Sequence, residues 1–323
     1  MVTLDYVYSL YRILLGREPE SEDAVRQHLA ANDEREILRK FLKSREFLSK
    51  EWLLIGRHLS ADAQPVAVTA SSEQLHAMLA GIAEKWQQYG KSEPYWSVIV
   101  SEDYKTTNIT ENIDRFYATG VDDVDLALRA VSRAGIDPSG FRAAIDFGCG
   151  VGRLTLALAN RIGTVTGVDI SPGHVALARK RAQAHGANNV SFEIISSVAD
   201  ILAIDKADFI MSLIVIQHNP PPVMAEIFRM LLDRLNVNGV AYIQIPTFIE
   251  NYSFDVGKYL EGEKDDMEMN CLPQHHIFQL INDAGCVPLE IREDSWTGGP
   301  TMVSHTFLIQ KRQSQVSTRR KLR

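Results

Sequence analysis

One stretch limits this chain more than any other: AAIDFGCGVGRLTLAL, residues 143–158. A short apolar run carries an acid, Asp146, near its end; glycines follow at 148, 150 and 152, and the residues after them repeat with helical period. That order reads as strand, turn, helix. Glycine suits such a turn because the backbone there takes conformations closed to other residues and approaches a ligand with no Cβ in the way. The helix opening near Gly152 adds unpaired amides and a positive dipole end. Dinucleotide-binding turns read G-x-G-x-x-G, which would need a glycine at 153, and Arg153 stands there. Asp146 would also repel a pyrophosphate. The pattern D-x-G-x-G-x-G suits a cationic, amine-bearing ligand instead.

Charge and cysteine content narrow the setting. The formal charge is −7, from 41 acidic and 34 basic residues, which disfavours nucleic acid as a partner. Three cysteines, Cys149, Cys271 and Cys286, have no metal-ligand spacing and cannot all pair, so a reduced, cytoplasmic setting is expected. The first twenty residues are apolar only at helical spacing and carry charges within the first turns, unlike the apolar block of a signal peptide. No window approaches the roughly 18 uncharged apolar residues of a membrane-spanning helix.

Composition divides the 323 residues into four parts. Residues 1–59 are expected to form a small all-helical domain, with Leu4, Val7, Tyr8, Tyr11, Leu14 and Leu15 on one face of the first helix. Gly16 and Pro19 stop that helix, Ser21 caps a second, Ile37, Leu38, Phe41 and Leu42 line a third, and Phe47, Leu48, Trp52 and Leu53 a fourth. Residues 60–92 read as a linker, SADAQPVAVTASS, followed by a connecting helix. Over 93–311 helices alternate with short β-rich runs, the pattern of a parallel sheet with helical crossovers. Residues 312–323 form a basic tail without apolar periodicity, expected to be disordered.

Two resemblances follow from these residues. LYRILLGREP at 10–19, with SREFL at 44–48, resembles the signature of a small helical domain found in bacterial proteins connected with glycans or cell-surface material. Arg17 within it reads as a helix cap or a partner for Glu20 or Glu22. Asp146 with Gly148, Gly150 and Gly152 resembles the first motif of class I S-adenosylmethionine-dependent methyltransferases. GTVTGVDIS, 163–171, ends a second strand in Asp169, nineteen residues after Gly150, where that family has an acid that accepts hydrogen bonds from both ribose hydroxyls. Further runs at 190–195, 207–222 (a strand with its loop), NGVAYIQIPTF, CVPLEIRED and MVSHTFLIQ supply strands three to seven. The resemblance implies an α/β, Rossmann-like seven-stranded sheet with its last strand antiparallel, and S-adenosyl-L-methionine as cofactor. It implies Asp146, Gly148, Cys149, Gly150, Gly152, Asp169 and Ile170 as cofactor contacts. After strand three the family often has an acid for the adenine amino group; Ser196 or Ser197 falls there, and Ser197 is the expected contact.

Methyl transfer asks mainly for positioning, because the sulfonium is already activated. For a hydroxyl acceptor a neutral histidine is the usual base, and His218 lies in the loop after strand four, on the edge where open α/β sheets bind ligands. It is read as base, pocket wall or structural residue, with Gln217 beside it as a cofactor-side candidate. Residues 246–273 are too long for a simple connection and are expected to form part of the acceptor wall. Residues 93–120 read as a segment folding over the cofactor, their aromatics Tyr95, Trp96, Tyr104 and Tyr117 being mainly core. His275 and His276 lack an acidic cluster, so no metal site is expected.

These readings converge on a methyltransferase acting on a small-molecule or glycan acceptor, with O-methylation of a sugar of a surface polysaccharide or its precursor favoured by the N-terminal resemblance. An N-methyltransferase of small molecules or proteins is the alternative within the class. A non-catalytic cofactor-binding adaptor, its N-terminal helices docking a protein partner, is the alternative outside it.

Overall fold

Helix α1 (Leu4–Leu15) begins where the Thr3 hydroxyl accepts the amide of Tyr6 and ends at Gly16, whose φ of 64° closes the last turn. Ser21 caps α2 (Glu22–His28) and Asp33 caps α3 (Glu34–Leu42), each through the same backward hydrogen bond. With the short α4 (Arg45–Leu48), they bury Val7, Leu10, Tyr11, Leu15, Val25, Ile37, Phe41 and Phe47 in one apolar cluster. Arg17 forms ion pairs with Glu20 and with Glu46 and lies over the ring of Tyr11. The structure is a computed structural model and describes residues 2–29, 33–48, 64–262, 266–294, 296–297 and 302–313. Trp52 and Leu53, residues 60–63, and the basic tail from 314 onward lie outside the described residues. Residues Met1–Ser60 and Ala61–Arg323 form two separate compact units.

The larger unit is built on seven strands: β1 (Ala143–Phe147), β2 (Thr164–Asp169), β3 (Val190–Ile194), β4 (Ala207–Ser212), β5 (Leu235–Ile249), β6 (Cys286–Asp294) and β7 (Met302–Lys311). Their order is β3-β2-β1-β4-β5-β7-β6. The first five pair in parallel and β7 runs antiparallel to both its neighbours. Central strands of a parallel sheet are covered on both faces, so they read as continuous apolar runs: Ala144, Ile145 and Phe147 in β1, Phe209, Ile210 and Met211 in β4 are all buried. One face packs against α5 (Ser72–Ser92), α9 (Pro221–Asp233) and α11 (Gln274–Asp283), through Met78, Phe228 and Ile277 among others. The opposite face packs against α6 (Ile109–Arg133) and α7 (Arg153–Ala159), through Val124 and Leu158. Helix α8 (Pro172–Ala184), capped by Ser171 with Pro172 at its first position, covers β3 through Val175 and Ala178. A short α10 (Val256–Glu261) lies in the connection after β5.

The connecting helix expected over 73–90 is an integral part of this unit. Helix α5 has a reciprocal cap between Ser71 and Gln74, and Leu75, Met78, Leu79 and Ile82 are the side chains it gives to the unit. Before it, Ala67 donates to the carbonyl of Phe254 at 3.0 Å and Phe254 to that of Pro65 at 3.0 Å. Composition at 60–72 is that of a linker, yet two backbone bonds and the apolar side chains of Val66 and Val68 tie its second half to the β5–α10 connection.

Candidate active site

Strand β1 hands the chain to the glycine turn at Phe147. The amides of Gly148 and Cys149 both donate to the carbonyl of Val168 on β2, at 2.8 and 3.0 Å, which folds the turn across the strand ends. Gly148, Gly150 and Gly152 have φ values of 75°, 51° and 84°. At Gly148 a Cβ would run into the side chain of Val215, and at Gly150 it would come within 2.7 Å of Val98. Both positions therefore need glycine for conformation and for space. Cys149 is buried and its thiol is pushed up by burial, so it serves as a small filler, not as a nucleophile.

A cleft with about 870 Å³ of empty space opens above this turn. Its walls are the turn itself, Asp169 and Ile170 at the end of β2, Leu213 to Val215 after β4, and Trp86 of α5. The Asp169 carboxylate accepts the amide of Gly150 at 2.8 Å through one oxygen and that of Ser171 at 2.8 Å through the other. Each oxygen keeps a second lone pair, so the group can still receive two hydroxyl protons side by side.

Residues 144–239 match the model of a family described as a methyltransferase domain. The strand order and the antiparallel last strand agree with that match. The chain carries a methyltransferase domain. A 23S rRNA (uracil(747)-C(5))-methyltransferase of Cronobacter sakazakii is 31% identical over 169 residues, 50% of this chain and 41% of that protein. A release factor glutamine methyltransferase of Geobacter sulfurreducens is 38% identical over 81 residues, 24% of this chain and 26% of that protein. The chain spans less than half the length of either relative. A magnesium protoporphyrin IX methyltransferase from Synechocystis, solved with bound S-adenosylhomocysteine, shares the fold at a TM-score of 0.50 and 18% identity, over 72% of this chain and 99% of that one.

Within the methyltransferase domain, Gly148, Cys149, Gly150, Asp169 and Ile170 face the cleft, whereas Gly152 lies outside its lining, packed toward Ala178 and Phe192. Asp146 does not. It is fully buried beneath the turn, one carboxylate oxygen accepting the Thr155 hydroxyl at 2.6 Å and the other without a partner. Ser197 also departs from its expected place: its hydroxyl donates to Asp200 at 2.8 Å in a reciprocal cap, and Ile195 lines the cleft instead. Gln217 is buried outside the cleft lining, its carbonyl accepting from Gln244 at 2.9 Å. The aromatics of 93–120 are largely core: Tyr95, Tyr104 and Tyr117 pack edge-on around Phe116, and Ser97 and Val98 are the residues of that segment that reach the cleft. His275 is exposed and His276 half-buried; among the described residues no group of three or more His, Cys, Asp or Glu is placed to hold a metal ion.

Burial pushes the Asp146 carboxyl up to about 6, with the Thr155 hydrogen bond opposing the shift. A raised acid holds its proton more tightly in the folded chain than in the unfolded one, so this group costs stability as pH rises. The cost is absent below the unfolded value and complete above about pH 6, amounting to about 3 kcal/mol. Asp146→Asn is expected to cancel it. Urea unfolding of both proteins from pH 4 to pH 8 should show the difference in unfolding free energy moving toward the variant by about that amount; parallel profiles would contradict the assignment.

His218 lies in a second, smaller pocket that shares Ile82 and Trp86 with the cleft and is bounded further by Tyr89, Tyr259, Met267 and Glu268. Its Nδ1 is 2.9 Å from the Glu268 carbonyl, to which it donates, and its ring meets Trp86 edge-on. Burial lowers its pKa, with the Glu268 bond opposing, so the ring is neutral near pH 7 and Nε2 carries its lone pair. Sequence reading missed Trp86, and it missed the buried pair Ser97 and His174, whose Oγ and Nε2 stand 2.9 Å apart on the cleft wall. Nothing local in the sequence marks them, because each reaches the cleft through a long-range contact.

Proposed function

We propose that the larger unit transfers a methyl group from S-adenosylmethionine to a hydroxyl-bearing acceptor, and that this acceptor is a sugar of a surface polysaccharide or its precursor. The observation that carries the reading is the Asp169 carboxylate, anchored by two backbone amides at the mouth of a turn that only glycine can form. The residues fit the donor: the turn leaves room for a ligand's backbone-close approach, Asp169 keeps lone pairs for a vicinal diol, and Ile170 and Ile195 give apolar surface for a base. When bound, S-adenosylmethionine supplies an activated methyl on a sulfonium.

The chain's own work is then to position and to remove one proton. Trp86 stands between the two pockets and gives an acceptor ring a flat surface beside the cleft. The neutral His218, its Nδ1 proton committed to Glu268, supports proton removal at Nε2. The connection after β5 supplies Tyr259 and Glu268 to this second pocket, which supports its reading as the acceptor wall. The glycan class rests on the resemblance of the N-terminal unit and on a net charge of −7, which disfavours nucleic acid.

Calorimetric titration with S-adenosylhomocysteine tests the donor site. The expected result is micromolar binding, weakened about tenfold or more in Asp169→Ala through the loss of hydrogen bonds to a charged group. His218→Ala should bind the same ligand within about twofold, because it sits on the acceptor side. Binding of NAD in place of the homocysteine product would overturn the proposal.

A further inference from the structure

Strand β4 ends at Ser212, and Leu213, Ile214 and Val215 then run along the cleft wall. Ile214 has a φ of 59°. For a β-branched residue this is a costly conformation, and such strain persists only where the surroundings over-determine it. The amide of Ile214 donates to the side-chain carbonyl of Gln244 on β5 at 3.0 Å. Gln244 is fully buried, and its amide nitrogen donates to Gln217 at 2.9 Å and to the Ser304 hydroxyl on β7 at 2.6 Å. Its carbonyl and its amide nitrogen are thus both engaged, by two residues of the connection after β4 and one of β7.

The backbone conformation at Ile214 has two results. It presses Val215 into the space that a Cβ at Gly148 would occupy, so the β4 exit and the glycine turn interlock. It also starts the turn Ile216–His218, which carries Gln217 and His218. We infer that Gln244 is a positioning residue for methyl transfer: its side chain holds Ile214 in the left-handed conformation and thereby fixes both the cofactor wall and the His218 turn. The functional part rests on the proposed donor reading; the conformational part stands without it.

Two measurements test this on the full chain: amide hydrogen exchange at Ile214 without ligand, and titration with S-adenosylhomocysteine. In Gln244→Leu the Ile214 amide should exchange at least about tenfold faster and the ligand bind about tenfold more weakly, as for one lost hydrogen bond. Adding Ile214→Gly, for which the left-handed region is free, should return most of the lost affinity. A glutamine that merely fills the core would show no such rescue. Unchanged exchange at Ile214, or an affinity loss that glycine does not repair, overturns the inference. If Gln244→Leu does not fold, Ser304→Ala takes its place: weaker binding by about threefold supports the role, and wild-type affinity refutes it. A wild-type protein that fails to bind the ligand overturns the donor reading, while the exchange result still decides whether Gln244 holds Ile214.

Discussion

Gly148→Ala is expected to abolish detectable S-adenosylhomocysteine binding and to destabilise the larger unit. Two costs combine at this position. The φ of 75° places an alanine in the left-handed region, at roughly 1–2 kcal/mol, and the new methyl meets the Val215 side chain, where overpacking typically adds about 1–3 kcal/mol. Either the turn or the β4 exit must move, and both are walls of the cleft. An affinity loss of about a hundredfold or more is the expected reading by calorimetry, with a lower midpoint in thermal unfolding. Gly135→Ala is the matching control. Gly135 also has positive φ, at 82°, yet a Cβ there meets nothing within 4 Å. It should lose stability through strain alone and keep wild-type affinity. Equal binding by Gly148→Ala and the wild type would mean that the turn does not hold the ligand.

The second large effect is expected at Asp123. Arg153, standing where a dinucleotide fingerprint would have glycine, runs along α6, with its side chain 5% exposed, and pairs with Asp123, 15% exposed, while also donating to Thr119. Gly120 leaves the room for it: a Cβ there would come within 2.9 Å of the Arg153 side chain. Asp123→Ala leaves a buried guanidinium without its counter-charge, a change that costs about 3–5 kcal/mol. Replacing both partners, as Asp123→Leu with Arg153→Met, removes the charge together with its partner and should recover most of that loss. Urea unfolding of the single and double variants makes the comparison. A single variant within about 1 kcal/mol of the wild type would show that solvent reaches the pair.

The sheet was legible because its signals are local. The central strands β1 and β4 are short apolar runs, the glycine turn sits within seven residues, and Asp169 follows at a fixed distance along the same βαβ unit. The residues that went unread act across the chain. Trp86 and Ser97 come from segments before the first strand, and Gln244 meets Ile214 from thirty residues away. Ser197 had a local signal of its own: Ser197-x-x-Asp200 has the spacing of a helix cap, and the structure uses it as one. Asp146 was read as a ligand contact from its place beside the glycines, but alternation along β1 and the packing of α7 turn it inward to Thr155. A motif position gives the order of residues along the chain, and only the packing decides which of them reach the surface of the cleft.

Helix α5 changes what counts as the smallest transplantable piece of this chain. A fragment starting at Tyr95 would retain all seven strands and the whole glycine turn, yet it would lack Leu79, Ile82 and Trp86 and hold a trough open along one side. It would also lose the partner that Phe254 finds at Pro65 and Ala67, in the connection that supplies Tyr259 and Glu268 to the second pocket. Anyone grafting this domain onto another protein, or swapping the helices in front of it, has to make the cut upstream of residue 64, where the pattern of strands alone would have suggested cutting some thirty residues later.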